Sequence, residues 1–149
     1  MAKAQRPVRA VNLTVTPAEL AQFALGLPEV TEEQPFGPGA DVYKVTGKIF
    51  AIISPERIPP AVALKCDPLM AIALREEYEA VIPGYHLNKK HWNTVILDGT
   101  IPDVEIEDMV LHSYERVIAG LPRLVRHRLE SARSDHERLR VTLLRRGRS

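Results

Sequence analysis

The chain has a single cysteine, Cys66, so neither an internal disulfide nor a multi-cysteine metal site can form. No apolar run approaches the roughly 18 residues that a membrane-spanning helix needs. Met1 to Arg9 is basic, but no apolar segment follows it. That argues against a secretory signal and makes the cytoplasm the default expectation. Neither G-x-x-x-x-G-K-[ST] nor G-x-G-x-x-G occurs, so no nucleotide cofactor is implied, and nothing else in the sequence implies one. Internal repeats and low-complexity runs are absent as well. What remains is 149 residues, 45% hydrophobic and 26% charged, the composition of one globular domain that can bury a core without metals or disulfides.

The net charge of +1 hides an asymmetry. Met1 to Pro122 carries 11 Lys and Arg against 16 Asp and Glu, whereas Arg123 to Ser149 carries 9 Arg against 3 acids. A basic tail on an acidic body can hold a polyanion or fold against the body itself. Leu124, Val125, Leu129, Leu139, Leu143 and Leu144 form a loose helical stripe, interrupted from Ser131 to Asp135.

Local signals place the elements. Thr16, Pro17 and Glu19 make a capping box with proline at the first helical position, and Leu20, Phe23, Ala24 and Leu27 follow at helical spacing. Val42 to Val45 reads as a strand, Thr46-Gly47 as a tight turn, and Lys48 to Ser54 as the antiparallel partner. Ala61 to Lys65 reads as a further strand, with one more near Glu32 to Phe36. Asp67-Pro68 opens a helix to about Tyr78, with Leu69, Ile72, Ala73 and Glu76 along its stripe. Val81-Ile82-Pro83-Gly84 reads as a turn and Trp92 to Leu97 as a strand. The last body helix starts near Pro102-Asp103, with Ile106, Val110, Tyr114, Val117, Ile118 and Leu121 in phase. Hairpin strands with helices between them predict an α+β domain, an antiparallel sheet covered on one face.

The densest polar cluster is Tyr85 to Thr94, with two His, two Lys, two Asn and the only Trp. Lys89 and Lys90 can contact phosphates, Asn88 and Asn93 can donate to phosphate or base edges, and His86 or Tyr85 can stack on a base. In the structural alternative Trp92 anchors the core while Asn88 and the lysines form a solvated turn. In a ligand-binding alternative Tyr85, His86, Asn88, His91 and Trp92 line a pocket. The five-residue spacing of His86 and His91 matches neither a strand face nor a helical metal pair, so no metal is expected. Lys44, Lys48 and Lys65 fall on the central strands, as nucleic-acid contacts or as protection of strand edges. Cys66 precedes a helix, whose N-terminus could lower its pKa, but a small corner-filling residue is the simpler account. Ser54 and Ser113 lack a nucleophile motif. The acidic groups at Glu76 to Glu79 and Glu105 to Asp108 read as solvated helix faces. No catalytic constellation emerges, and a non-enzymatic role is expected; a His86 or His91 acid/base enzyme is the weaker option.

The combined pattern resembles the MmcQ/YjbR family from about Leu20 to Arg126. Its pieces are Leu27-Pro28, Pro35-Phe36-Gly37, Gly47 to Ala51, Ala63-Leu64-Lys65 with Asp67-Pro68, and His86-Leu87-Asn88-Lys89 with His91-Trp92 and Thr94-Val95. Val95 to Gly99, Pro102-Asp103, Ser113-Tyr114-Glu115 and Leu121-Pro122 complete it. The resemblance implies a two-layer α/β sandwich, comparable to the frataxin-like fold, and DNA binding through two β-hairpin wings. It brings no established catalytic residues. Lys48, Lys65, His86, Asn88, Lys89, His91 and Trp92 match the family pattern. The reading divides the chain into an N-terminal extension (1–15), the family domain (16–126) and an Arg-rich tail (127–149). It expects DNA as partner, held mostly by phosphate contacts, and no membrane. The oligomeric state is not readable.

Overall fold

The computed structural model describes residues 15–84 and 87–146, with side chains to 139. The elements run α1 (Pro17–Leu25), β1 (Val30–Glu33), β2 (Asp41–Val45), β3 (Lys48–Ser54), β4 (Ala61–Lys65), α2 (Pro68–Glu77), β5 (Val81–Pro83), β6 (Trp92–Ile96), α3 (Asp103–Ala119) and α4 (Arg123–Arg146). The strands form one antiparallel sheet in the order β1-β2-β3-β4-β6-β5. The helices pack on one side of it, with α3 crossing β2, β3 and β4. The domain is α+β with its sheet covered on one face, as the hairpin strands and intervening helices predict, and has the two layers that the resemblance implies.

Local chemistry explains the boundaries. The Thr16 side chain accepts the Glu19 N–H at 3.1 Å, and the Glu19 carboxylate accepts the Thr16 N–H at 3.0 Å. Asp67 caps α2 by accepting from the Leu69 and Met70 N–H groups. Along β4 and β6 burial alternates with the strand period of two. Val62, Leu64, Asn93 and Val95 are buried on the helix side, whereas Ala63, Lys65, Trp92 and Thr94 are half-buried on the open side.

Several expectations change. The apolar stripe of α2 is rotated: Leu69 is 80% and Ile72 50% exposed, while Ala71 is fully buried. The cause is close approach to β6, where the Asn93 side chain donates to the Ala71 carbonyl. Val81 to Pro83 is not a turn but the edge strand β5, where a proline without an N–H is tolerated. The 131–135 interruption does not break α4. Ser134 bonds back to the Glu130 carbonyl, and Arg133–Glu137 and Arg138–Asp135 pair along the helix.

The tail therefore folds on the body. It packs on α3, Leu129 is fully buried in the core, and Arg128 makes a two-pronged pair with Glu29 at 2.8 and 2.9 Å. Leu124 and Leu139, from the expected stripe, remain exposed. At the other end, Val15 is buried and donates its N–H to Asp103 at 2.9 Å. The rest of the N-terminal extension lies outside the described residues. No helix among the described residues is long and apolar enough to cross a membrane.

Candidate nucleic-acid interface

Antiparallel pairing brings the last residue of β4 beside the first residue of β6, so Lys65 faces Trp92 directly. The same rule sets Val45, at the end of β2, against Lys48, at the start of β3. The turn that carries Lys89 and Lys90 leads straight into Trp92. Lys44, Lys48, Lys65, Lys89 and Lys90 thus gather at one end of the sheet, although they are scattered in sequence.

Their charges are not equivalent. Lys44 is neutralised by Glu33 on the adjacent strand, at 3.0 Å. Lys48, Lys65, Lys89 and Lys90 make no ion pair with any described residue. Lys48, Lys89 and Lys90 are exposed and Lys65 is half-buried. Arg75, which the sequence reading did not select, joins them. Its guanidinium reaches from α2 to the Lys89 carbonyl at 3.3 Å and anchors the turn. No local pattern reveals that contact, because the two residues meet only through the packing of α2.

The turn itself is built by Asn88. Its side-chain oxygen accepts the Lys90 N–H at 2.9 Å, and its carbonyl accepts from His91 and Trp92. This is an Asx-type turn that presents both lysines outward. The His91 carbonyl accepts the Cys66 N–H at 2.7 Å and extends the β4–β6 ladder. His91 Nδ1 is buried without a partner among the described residues. Trp92 is not the core anchor that a lone tryptophan suggests; it is half-buried on the helix-free face. Tyr85 and His86 lie outside the described residues, so neither the stacking role nor the pocket role given to them can be placed.

A cavity of about 290 Å³ does exist, but on the helix side between α2, α3, β4 and β6. Asn88, His91 and Trp92 do not line it, whereas Cys66, Asn93 and His112 do. Burial pushes the Cys66 thiol up, with Asp67 adding to the effect, so the helix N-terminus does not produce a thiolate there. Burial pushes His112 down, helped by Arg116, and its Nε2 accepts the Asp67 N–H at 3.2 Å. Glu105 is not part of a solvated face: its carboxylate accepts the Tyr78 hydroxyl. Ser113 is fully buried and bonded to backbone. Among the described residues no group of three His, Cys, Asp or Glu could hold a metal ion.

The chain as a whole is similar to known proteins. A family model described as YjbR matches residues 25–116. The chain is 40% identical over 100 residues to the uncharacterized protein YbdF of Escherichia coli O157:H7, covering 67% of this chain and 82% of YbdF. It is 37% identical over 108 residues to the uncharacterized protein YjbR of Escherichia coli K12, covering 72% of this chain and 92% of that one. The crystal structure of the Deinococcus radiodurans protein DR2400, with its DUF419 domain, superposes with a TM-score of 0.72 at 34% identity, covering 77% of this chain and 88% of that one. With a family match over most of its body and relatives aligned along nearly their whole length, the chain belongs to the YjbR family.

Proposed function

We propose that the protein is a non-enzymatic DNA-binding module that grips the phosphate backbone with the lysine-bearing end of its sheet. The observation that carries this reading is the placement of Lys48, Lys65, Lys89 and Lys90 at one end of the sheet, without carboxylate partners among the described residues, on an otherwise acidic body. Ammonium groups held this way attract phosphate and release its counterions. The β2–β3 hairpin, with Lys48 beside its tip, serves as one wing, and the Asn88 turn flanks it. His91, Asn88 and the half-exposed Trp92 form the rim on which sugar or base edges rest. Lys44 contributes little, because Glu33 holds it. Arg128, Arg133 and Arg138 of α4 are outside the grip, because each is paired within the fold.

Backbone contacts without a base-reading element give little sequence discrimination. The test is a fluorescence titration of labelled duplex and single-stranded DNA with the full chain at two salt concentrations. Four phosphate contacts predict an affinity loss of about two orders of magnitude between 50 and 200 mM salt on duplex DNA. Absence of binding to either form at low salt rejects the reading.

A further inference from the structure

The lysine-bearing end opens onto the helix-free face of the sheet. Side chains opposite each other across a ladder share one face, so the register defines what that face carries. Ile52, Ala63 and Thr94 form one row across β3, β4 and β6, and Ile82 of β5 continues it. One step nearer the lysine end, Lys65 and Trp92 lie side by side. Ile52, Ala63 and Trp92 belong neither to the hydrophobic core nor to the residues packed against it. All three are half-buried, as are Thr94 and Lys65, whereas Ile82 is exposed.

Two features narrow what this face fits. Ala63 and Thr94 are small, so the surface beside the indole is a low ledge. Its charge next to the indole is positive, because Lys65 makes no ion pair with any described residue. Among the described strands, the one carboxylate on this face is Glu33, which stands beyond Val42 in the Ile52 row and is held by Lys44 at 3.0 Å. A cation beside an aromatic ring suits an anion that carries flat rings. A second copy docked symmetrically on the same face would bring its own Lys65 and no free carboxylate, so charge disfavours it. Single-stranded DNA brings both partners at every nucleotide, whereas a duplex keeps its base faces inside the stack.

We propose that the helix-free face is a platform for single-stranded DNA. One base stacks on Trp92, the adjoining phosphate meets Lys65, and the next base lies over the ledge of Ala63 and Thr94. This rests on the DNA-binding reading above and names the form of DNA that the site takes. Open antiparallel sheets with an aromatic on the exposed face hold unpaired bases in this way, and stacking of this kind tolerates any sequence because every base has a π-face.

Trp92 is the only tryptophan in the chain, so its emission reports on this position alone. The full-length protein is titrated at about 50 mM salt with a thymidylate strand of about 12 nucleotides and with a duplex of the same length. Anisotropy of a label on the DNA follows binding independently. The strand is expected to quench Trp92 saturably, along the same curve as the anisotropy, and the duplex to bind without matching quenching. Trp92→Leu is expected to lower the ratio of strand to duplex affinity about tenfold, and Trp92→Phe, which keeps a stacking face, to restore most of it. The wild-type quench decides the case even if neither variant folds. Strand binding without quenching, equal quenching by strand and duplex, or a ratio that Trp92→Leu leaves unchanged overturns the platform while the phosphate grip stands. Duplex binding with no strand binding does the same. Emission that moves with protein concentration but not with DNA means that a second copy covers the face, and it overturns the platform as well. No binding of either DNA rejects the grip and the platform together.

Discussion

Ser113 joins two strands to Lys65: its hydroxyl accepts the Lys65 N–H at 2.9 Å and donates to the Phe50 carbonyl at 2.6 Å. The regular β3–β4 pairing ends one step away, at Ala51 and Leu64, beside the irregularity between β2 and β3. An α3 side chain thus replaces a ladder bond where the bulge opens the sheet. It also holds the backbone of Lys65 in register with Trp92.

Ser113→Ala removes a partner from two buried backbone groups at once. The expected cost is about 2–6 kcal/mol, from roughly 1–3 for each orphaned group. Urea unfolding should show a lowered midpoint with an unchanged slope. A loss below about 0.5 kcal/mol would mean that Phe50 and Lys65 pair directly once the hydroxyl is gone.

What could be read in the sequence is what local chemistry controls. The Thr16–Glu19 box, the Asp67 cap, the Thr46-Gly47 turn and the alternation along β4 depend on neighbours within a few residues. The lysines could be nominated, but only antiparallel register brings Lys48 and Lys65 to one end. Arg75 meeting Lys89, Tyr78 meeting Glu105, and the Glu33 pairing that silences Lys44 are tertiary contacts without a sequence period. The face of α2 depends on tertiary packing for the same reason: Leu69 and Ile72 look like a core stripe, but the buried residue is Ala71, whose carbonyl accepts from Asn93. A short strand containing a proline, β5, gives no alternation to detect.

His112 makes the domain sensitive to acid. Burial and Arg116 depress its pKa in the folded state below the ordinary 6.5, while Glu115 and Asp67 oppose the shift only in part. The unfolded chain therefore binds the proton first as pH falls. The stability tied to the neutral ring is complete above 6.5 and is lost as pH falls from there through the folded value. Thermal melts between pH 7.5 and 5 should show a declining Tm, and His112→Gln should flatten that decline. An unchanged pH slope in the variant would assign the acid sensitivity to other groups.

The α4 helix offers a contrast between burial and charge. Leu129 is fully buried in the core, so Leu129→Ala should cost about 2–5 kcal/mol through lost contacts and a residual cavity. Arg128 pairs with Glu29 at the surface, with both side chains about half exposed, so Arg128→Ala should cost at most about 1 kcal/mol. Denaturant unfolding of the two variants measures this directly. The reverse order would show that α4 is held by its charge rather than by its apolar contact.

The lysines of the sheet end should separate by partner, not by exposure alone. Each phosphate contact steepens the dependence of log K on log salt by about 0.9 for duplex DNA. Lys65→Ala and Lys89→Ala each remove an unpaired cation and should flatten the slope by about one unit. Lys44→Ala should change it little, because Glu33 already neutralises that ammonium. Glu33→Gln releases Lys44 beside the grip, so it should tighten binding and steepen the slope by up to about one unit. Salt titrations of the four variants against one labelled duplex provide the comparison. If Lys44→Ala flattens the slope as much as Lys65→Ala, the Glu33 pair does not control which lysines meet DNA, and the proposed division of the patch fails.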